Sequence, residues 1–102
     1  MDSTIRKLTL ICPQVLQPTF LDMLDNLENL PGYTILNALG RGSSIDQMNQ
    51  QEKVIGAMNT LMVIMILPES QIDEVLSSVA SNFSHTQISY WVEPVLDYAR
   101  LQ

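Results

Sequence analysis

Residues 60–67, TLMVIMIL, decide the fold. Seven apolar side chains follow one another from Leu61 to Leu67, which is far too few to span a membrane but enough for one strand. An uninterrupted apolar run of this length is typical of a strand that is buried on both faces. Pro68 comes next and is expected to end the strand, because proline has no amide hydrogen to donate to a sheet.

A helix and a last strand are predicted downstream of this run. Ser70 and Asp73 have the spacing of a capping box, in which each side chain would accept a hydrogen bond from the other residue's amide. Residues 86–92, TQISYWV, alternate as a half-buried strand does, and Pro94 follows them. Between these segments, apolar residues recur at three- and four-residue steps, which predicts a helix: Ile72, Val75, Leu76, Val79, Ala80 and Phe83.

Upstream of the central run, the same reasoning predicts a long loop and a first strand–helix–strand unit. Residues 40–59 are mostly polar, and a loop of that length inside a compact domain is usually functional or disordered. Residues 33–39 and 5–12 have the composition and alternation of strands. Between them, residues 18–30 carry an apolar stripe at helical spacing, which Pro31-Gly32 ends.

The predicted order is therefore strand, helix, strand, loop, strand, helix, strand in one domain, residues 1–102. This is the ferredoxin-like βαββαβ pattern of the α+β class, a four-stranded antiparallel sheet with two helices on one face. The first and third strands lie in its middle. Since helices cover only one face, one apolar face of residues 60–67 is left over.

The spare apolar face predicts an oligomer, because a contiguous apolar patch normally marks an interface. The alternation leaves two choices for that face: Leu61, Val63, Met65 and Leu67, or Met62, Ile64 and Ile66. We expect the interface to include Leu61, Val63, Met65 and Trp91. The alternative is that the residues after the last strand, or the long loop, fold over the sheet.

Composition excludes several classes of function. The chain has 5 basic and 11 acidic residues and a net charge of -6, and its basic residues are scattered. Binding to nucleic acid or to an anionic membrane needs clustered cations, so neither is expected. Cys12 is the single cysteine, which rules out an intramolecular disulfide and a CxxC pair. The first ten residues lack a signal-peptide pattern, so we expect a protein of the reducing cytoplasm.

Several segments resemble the PII signalling proteins and their PII-like relatives. These segments are KLTLICP at residues 7–13, LPGYTI at 30–35, LNALGRG at 36–42, and ISYWVEPVLDYARL at 88–101. The last one is similar to an uncharacterised PII-like group that is often encoded beside heavy-metal efflux pumps. The resemblance implies a cytoplasmic homotrimer whose sheets line the centre, a long loop at 41–59 that meets a protein partner, and a membrane efflux component as that partner.

Two departures from the PII pattern concern the ligand. Gly40-Arg41 match the glycine–arginine pair at the base of the PII loop, but Gly42 stands where PII proteins have a glutamine that helps to hold magnesium and oxoglutarate. The glycine- and lysine-rich loop that cradles nucleotide phosphates in PII proteins reads FSHTQ here, at residues 83–87. Binding of ATP and oxoglutarate is therefore not implied, and the sequence assigns no cofactor.

The candidate ligand residues each have a plainer interpretation. Gly40, Arg41 and Gly42 would bind an anion, or simply form a flexible loop entry. His85 would contact a ligand, or coordinate a soft metal together with Met48 and Met58, or be an exposed turn histidine. Cys12 is expected to be a small buried apolar residue.

Three functions remain open from the sequence. The first is a PII-like regulatory trimer that binds a small ligand or metal ion. The second is a divalent-cation or copper-binding tolerance protein. The third is a small ferredoxin-like enzyme, which we do not favour because no catalytic motif is recognisable.

Overall fold

The strands and helices follow the predicted order. The computed structural model describes residues 4–41, 58–84 and 86–101. Its elements are β1 (Ile5–Pro13), a 3-10 turn (Gln14–Leu16), α1 (Gln17–Asp25), β2 (Thr34–Gly40), β3 (Met58–Pro68), α2 (Glu69–Asn82) and β4 (Ser89–Pro94).

The four strands form one sheet in the order β2-β3-β1-β4, with antiparallel neighbours throughout. The two central strands are therefore β1 and β3, as predicted. Leu10 lies between Val63 of β3 and Tyr90 of β4, and Ile35 of β2 pairs with Val63 on its other side. The ferredoxin-like α+β fold is confirmed.

The core lies between the sheet and the two helices. Phe20 and Leu24 of α1 and Val75 of α2 pack against alternate residues of the central strands. The β1 and β3 residues in this cluster are at most 2% exposed: Leu8, Leu10, Cys12, Leu61, Val63, Met65 and Leu67. The rings of Phe20 and Phe83 pack in a tilted arrangement at a centroid distance of 5.3 Å, which joins α1 to the end of α2.

This packing corrects the predicted interface. Leu61, Val63 and Met65 face the helices and are buried within a single subunit, so they cannot form the interface between subunits. Met62, Ile64 and Ile66 point to the other face of the sheet. Alternation alone could not decide between the two sets, because both are wholly apolar.

Helix α1 ends five residues before the predicted position. The apolar stripe continues through Leu27 and Leu30, which still pack against the core, but the backbone leaves the helix after Asp25. Asn29 has a φ of 62°, a left-handed conformation that asparagine tolerates better than most residues and that a helix cannot contain. The Tyr33 hydroxyl donates to Asp25 Oδ1 at 2.7 Å, which secures this segment and raises the pKa of Tyr33.

The predicted capping box at Ser70 is wrong. Helix α2 begins at Glu69, directly after Pro68, and no side chain caps it. The Glu69 amide instead donates to the carbonyl of Thr4 at 2.8 Å, so the chain before β1 provides a partner for one amide of the first turn. Neither described helix is long and apolar enough to cross a membrane.

Strand β4 lies two to three residues later than predicted. Ile88 packs against the core before the strand begins at Ser89. Pro94 is part of the strand and is paired with Arg6. A proline is tolerated there because β4 is an edge strand, so a missing amide hydrogen need not break a ladder on its outer side.

Ionisation of Cys12 should make stability fall at high pH. Burial raises the pKa of its thiol from 9.0 to about 11 in the folded protein. Between about pH 9 and pH 11 the unfolded chain releases this proton while the folded chain retains it, so the free energy of unfolding decreases across that window. Urea unfolding at several pH values, compared with Cys12→Ala, measures the effect. Identical pH slopes for the two proteins would contradict it.

Candidate functional site

Strands β2 and β3 are held close together where the chain enters residues 41–57. Gly40, the last residue of β2, pairs with Met58, the first of β3. A Cβ on Gly40 would lie 3.0 Å from Thr60 Cγ2, closer than side chains normally pack, so this position favours glycine. The Thr60 hydroxyl donates to the Ala38 carbonyl at 3.2 Å. Gly40, Met58 and Thr60 therefore form a fixed platform, here called the loop base.

Two of the predicted ligand residues flank this platform. Arg41 is exposed immediately after β2, and Met58 is exposed on the opposite strand. A guanidinium here can bind a planar or phosphate-like anion through two parallel hydrogen bonds. Gly42, Met48 and His85 lie outside the described residues, so their assigned roles stay predictions.

A preformed acidic or histidine-rich metal site is not part of the described structure. Within residues 4–41, 58–84 and 86–101, no group of three or more histidine, cysteine, aspartate or glutamate side chains is placed to hold a metal ion. Of the predicted metal ligands Met48, Met58 and His85, the structure describes Met58, which lies at the loop base.

The sheet face opposite the helices forms a second candidate surface, here called the open face. Its centre is the strip Met62, Ile64 and Ile66 of β3, which is only partly buried. Leu36 of β2 pairs with Met62 and extends the strip outward, and Ile11 of β1 pairs with it on the other side. In the row formed by Leu36, Met62 and Ile11, the open face is therefore apolar across three strands.

Trp91 is held on the open face by a charged network. It is paired with Thr9, and its Nε1 donates to Glu93 Oε2 at 2.7 Å. Lys7 Nζ lies 3.9 Å from the same oxygen, and Lys7 and Glu93 are register partners. Sequence reasoning singled out Trp91 but missed Lys7 and Glu93. Alternation could have identified both residues, because residues two apart in a strand share a face: Glu93 is two residues from Trp91, and Lys7 is two residues from Thr9.

Thr9, also on the open face, has a buried hydroxyl with no hydrogen-bond partner among the described residues. The residue is 1% exposed, and Oγ1 has no hydrogen bond to any part of the described chain. Leaving a polar group in that state costs about 1–3 kcal/mol.

On the helix side, a groove of about 510 Å³ runs between α2 and β4. It exists because the helices cover the middle of the sheet and leave β4 uncovered, so that Tyr90 and Val92 are exposed on that side. The alternation of residues 86–92 predicted a half-buried strand and not this groove. The residues that line this α2–β4 groove are Leu10, Leu76, Val79, Ala80, Phe83, Ser84, Thr86, Ile88 and Tyr90.

A family model described as a protein of unknown function, DUF3240, matches residues 2–102. The chain belongs to the DUF3240 family. A solved structure of a DUF3240 family protein from Shewanella baltica OS155 is 23% identical, with a TM-score of 0.80 and coverage of 99% of this chain and 100% of that one. No curated protein matches the chain.

Solved PII-like structures share the fold of this DUF3240 chain. CPII, a nitrogen regulatory PII-like protein from Thiomonas intermedia K12 solved with ADP, AMP and bicarbonate, is 21% identical, with a TM-score of 0.70 over 95% of this chain and 96% of that one. Arabidopsis thaliana PII bound to citrate is 16% identical, with a TM-score of 0.72 over 98% and 85%. The predicted PII-like fold is confirmed.

Substitution of Thr9 by valine should stabilise the DUF3240 chain. Valine has nearly the same shape and removes the unpartnered hydroxyl, so we expect the free energy of unfolding to rise by about 1 kcal/mol, measured by urea unfolding. Thr60→Val is the matched control, since its hydroxyl is hydrogen-bonded and its loss should destabilise by about 1 kcal/mol. A Thr9→Val protein less stable than wild type would show that the hydroxyl has a partner in the assembled protein.

Proposed function

We propose that this protein is a PII-like regulatory homotrimer that binds a small ligand at its loop base and presents residues 41–59 to a protein partner. Met58 and Asn59, the last two residues of that predicted loop, are the first two residues of β3 and form its base. The observation that carries the proposal is the apolar open face. The role proposed is binding and not catalysis, in line with structural neighbours that are described as nitrogen regulatory or signalling proteins.

The open face supports assembly on energetic grounds. Met62, Ile64 and Ile66 form a continuous strip on the central strand, and Leu36 and Ile11 widen it. Burying such a side chain completely contributes about 1.5–3 kcal/mol. Removing this strip from water in three subunits at once is therefore a substantial driving force. Trp91 lies at the β4 margin of the same face and is proposed to be an interface residue.

The loop base supports binding of a small anion. Two structural neighbours were solved with anionic molecules, one with ADP, AMP and bicarbonate and the other with citrate. In this chain Arg41 supplies a cation next to the fixed platform of Gly40 and Thr60. Gly42 and His85 are proposed to complete the site.

The partner is proposed to be a protein, reached through residues 41–59 from the cytoplasm. A membrane efflux component is the partner that the resemblance to the efflux-associated PII-like group suggests. Neither nucleic acid nor a membrane surface fits a chain with a net charge of -6 and scattered basic residues.

A metal-binding tolerance protein is the second candidate. The observation in its favour is the exposed thioether of Met58 at the loop base, because a soft sulfur ligand suits copper(I). Met48 and His85 would provide the other ligands. In this case the metal would replace the anion as the bound species.

A charge on the open face should break the trimer. Leu36→Asp places a carboxylate within the proposed interface, where burial of an unpaired charge would cost several kcal/mol in each subunit. We expect sedimentation velocity to show mostly monomers for Leu36→Asp and trimers for wild type.

Val15→Asp provides the matched control for this variant. Val15 is an exposed apolar residue in the 3-10 turn, outside the sheet, so the same substitution there should leave the trimer intact. Far-UV circular dichroism checks that both variants fold. A folded Leu36→Asp protein that still sediments as a trimer would contradict the proposed interface.

Ligand titrations should separate the two candidate functions. Calorimetry with ADP, bicarbonate or citrate should detect binding of at least one anion, and Arg41→Ala should weaken it about ten-fold by removing a charge-assisted hydrogen bond. Arg41→Lys should weaken it less, since the positive charge is kept. Binding of copper(I) alone, lost in His85→Ala, would favour the metal-binding function instead, and anion affinity unchanged by Arg41→Ala would exclude the proposed anion site.

A further inference from the structure

The segment after β4, residues 95–101 and here called the tail, exposes apolar side chains that nothing in the described chain covers. Leu96 and Leu101 are fully exposed, and Tyr98 is more than half exposed. The molecule is 50 Å long but only 25 and 24 Å in its other dimensions, and the longest strand, of 11 residues, spans roughly 36 Å of that length. Leu96 and Leu101 of the tail therefore make no contact that buries them in their own subunit.

The α2–β4 groove is the complementary feature. Its walls are mainly aliphatic and aromatic, with Val79 and Phe83 on the helix side and Ile88 and Tyr90 on the strand side. Phe83 and Ile88 are only partly buried although they pack against the core. An apolar occupant would therefore remove the exposed apolar area of the groove from water, and an apolar docking surface would do the same for the tail.

The sheet register places the tail and the groove of one subunit at opposite ends of β4. The groove lies beside Tyr90, which pairs with Leu10, whereas the tail leaves after Pro94, which pairs with Arg6 near the start of β1. To reach its own groove the tail would have to reverse direction immediately after Pro94. The groove of a second copy is not covalently tied to this tail, so no such reversal is required.

Charge also favours this pairing. Helix α2 has no basic residue in its last turn, so the partial negative charge of its carboxyl end is uncompensated by its own side chains. Arg100 of the tail is exposed and makes no ion pair with any described residue. An incoming tail would bring this cation to the helix end that borders the groove.

We propose that the tail of one subunit docks in the α2–β4 groove of the next subunit. This inference rests on the homotrimer proposed above and adds a second contact to it, separate from the open face. Each copy donates one tail and accepts one, a head-to-tail contact that closes into a ring when the rotation is threefold. The groove is thus a site for a second copy of this chain.

Disulfide trapping between two different variants tests the docking directly. One full-length variant carries Ala80→Cys in the groove and the other carries Leu96→Cys or Leu101→Cys in the tail. The two proteins are mixed, allowed to exchange subunits and oxidised. We expect a disulfide-linked dimer on a non-reducing gel from the mixture. Buried Cys12 is common to all samples and does not compete, since its pKa is raised to about 11.

Asp22→Cys replaces Ala80→Cys in the matched control. Asp22 is exposed on α1 and lies outside the groove, so its mixture should give at most a trace of dimer. As an independent readout, Leu96→Ser/Leu101→Ser should raise the concentration at which trimers dissociate by at least about ten-fold, because two apolar side chains per contact lose their burial.

The outcomes separate this inference from the proposed trimer. If wild type is a trimer but the Ala80→Cys mixtures give no more dimer than the control, the docking is wrong and the trimer stands. The same conclusion follows if one chain carrying both cysteines cross-links only to itself. If wild type sediments as a monomer, both proposals fail.

Discussion

The structure depends on one constraint, a central strand that is apolar on both faces. Residues 61–67 of β3 bury alternate side chains under the helices, and the intervening side chains, centred on Ile64, are left on the open face. A strand of this kind cannot be satisfied by a single layer of helices. The helix side fixes the fold of the subunit, and the other side creates the need for a partner surface. The proposed assembly is thus a consequence of the same run that sets the fold.

The remaining features are arranged around this strand at its two ends. Where β3 begins, Gly40 and Met58 close the loop base, and the proposed ligand and protein partner meet there. At the other end, the chain leaves β4 after Pro94 as an exposed tail. The proposed ligand site and the exposed tail therefore lie at opposite ends of the sheet.

Sequence reasoning reached the fold class, because uninterrupted and alternating apolar runs report strand and helix directly. The sequence-based predictions were wrong or incomplete where contacts between distant parts of the chain determine the structure. The choice between Val63 and Ile64 as the open-face residue cannot be made from two equally apolar sets. The first amide of α2 is satisfied by a hydrogen bond from Glu69 to distant Thr4, which no local pattern encodes. The groove beside Tyr90 likewise follows from the helices' failure to reach β4, a property of the assembled layers. Of the predicted ligand residues, the structure describes Gly40, Arg41 and Met58, whose positions flanking the loop follow from strand pairing.

Native mass spectrometry of the wild-type protein, purified without a chelator, is the most direct test of whether the apolar open face is covered by formation of a trimer. It counts subunits and detects any bound small molecule in one spectrum. We expect a mass of three chains of 11.5 kDa, with or without a retained anion or metal ion. A spectrum that contains only single chains at concentrations where the protein is folded would contradict it, because the apolar strip around Ile64 would then have to be covered within one subunit.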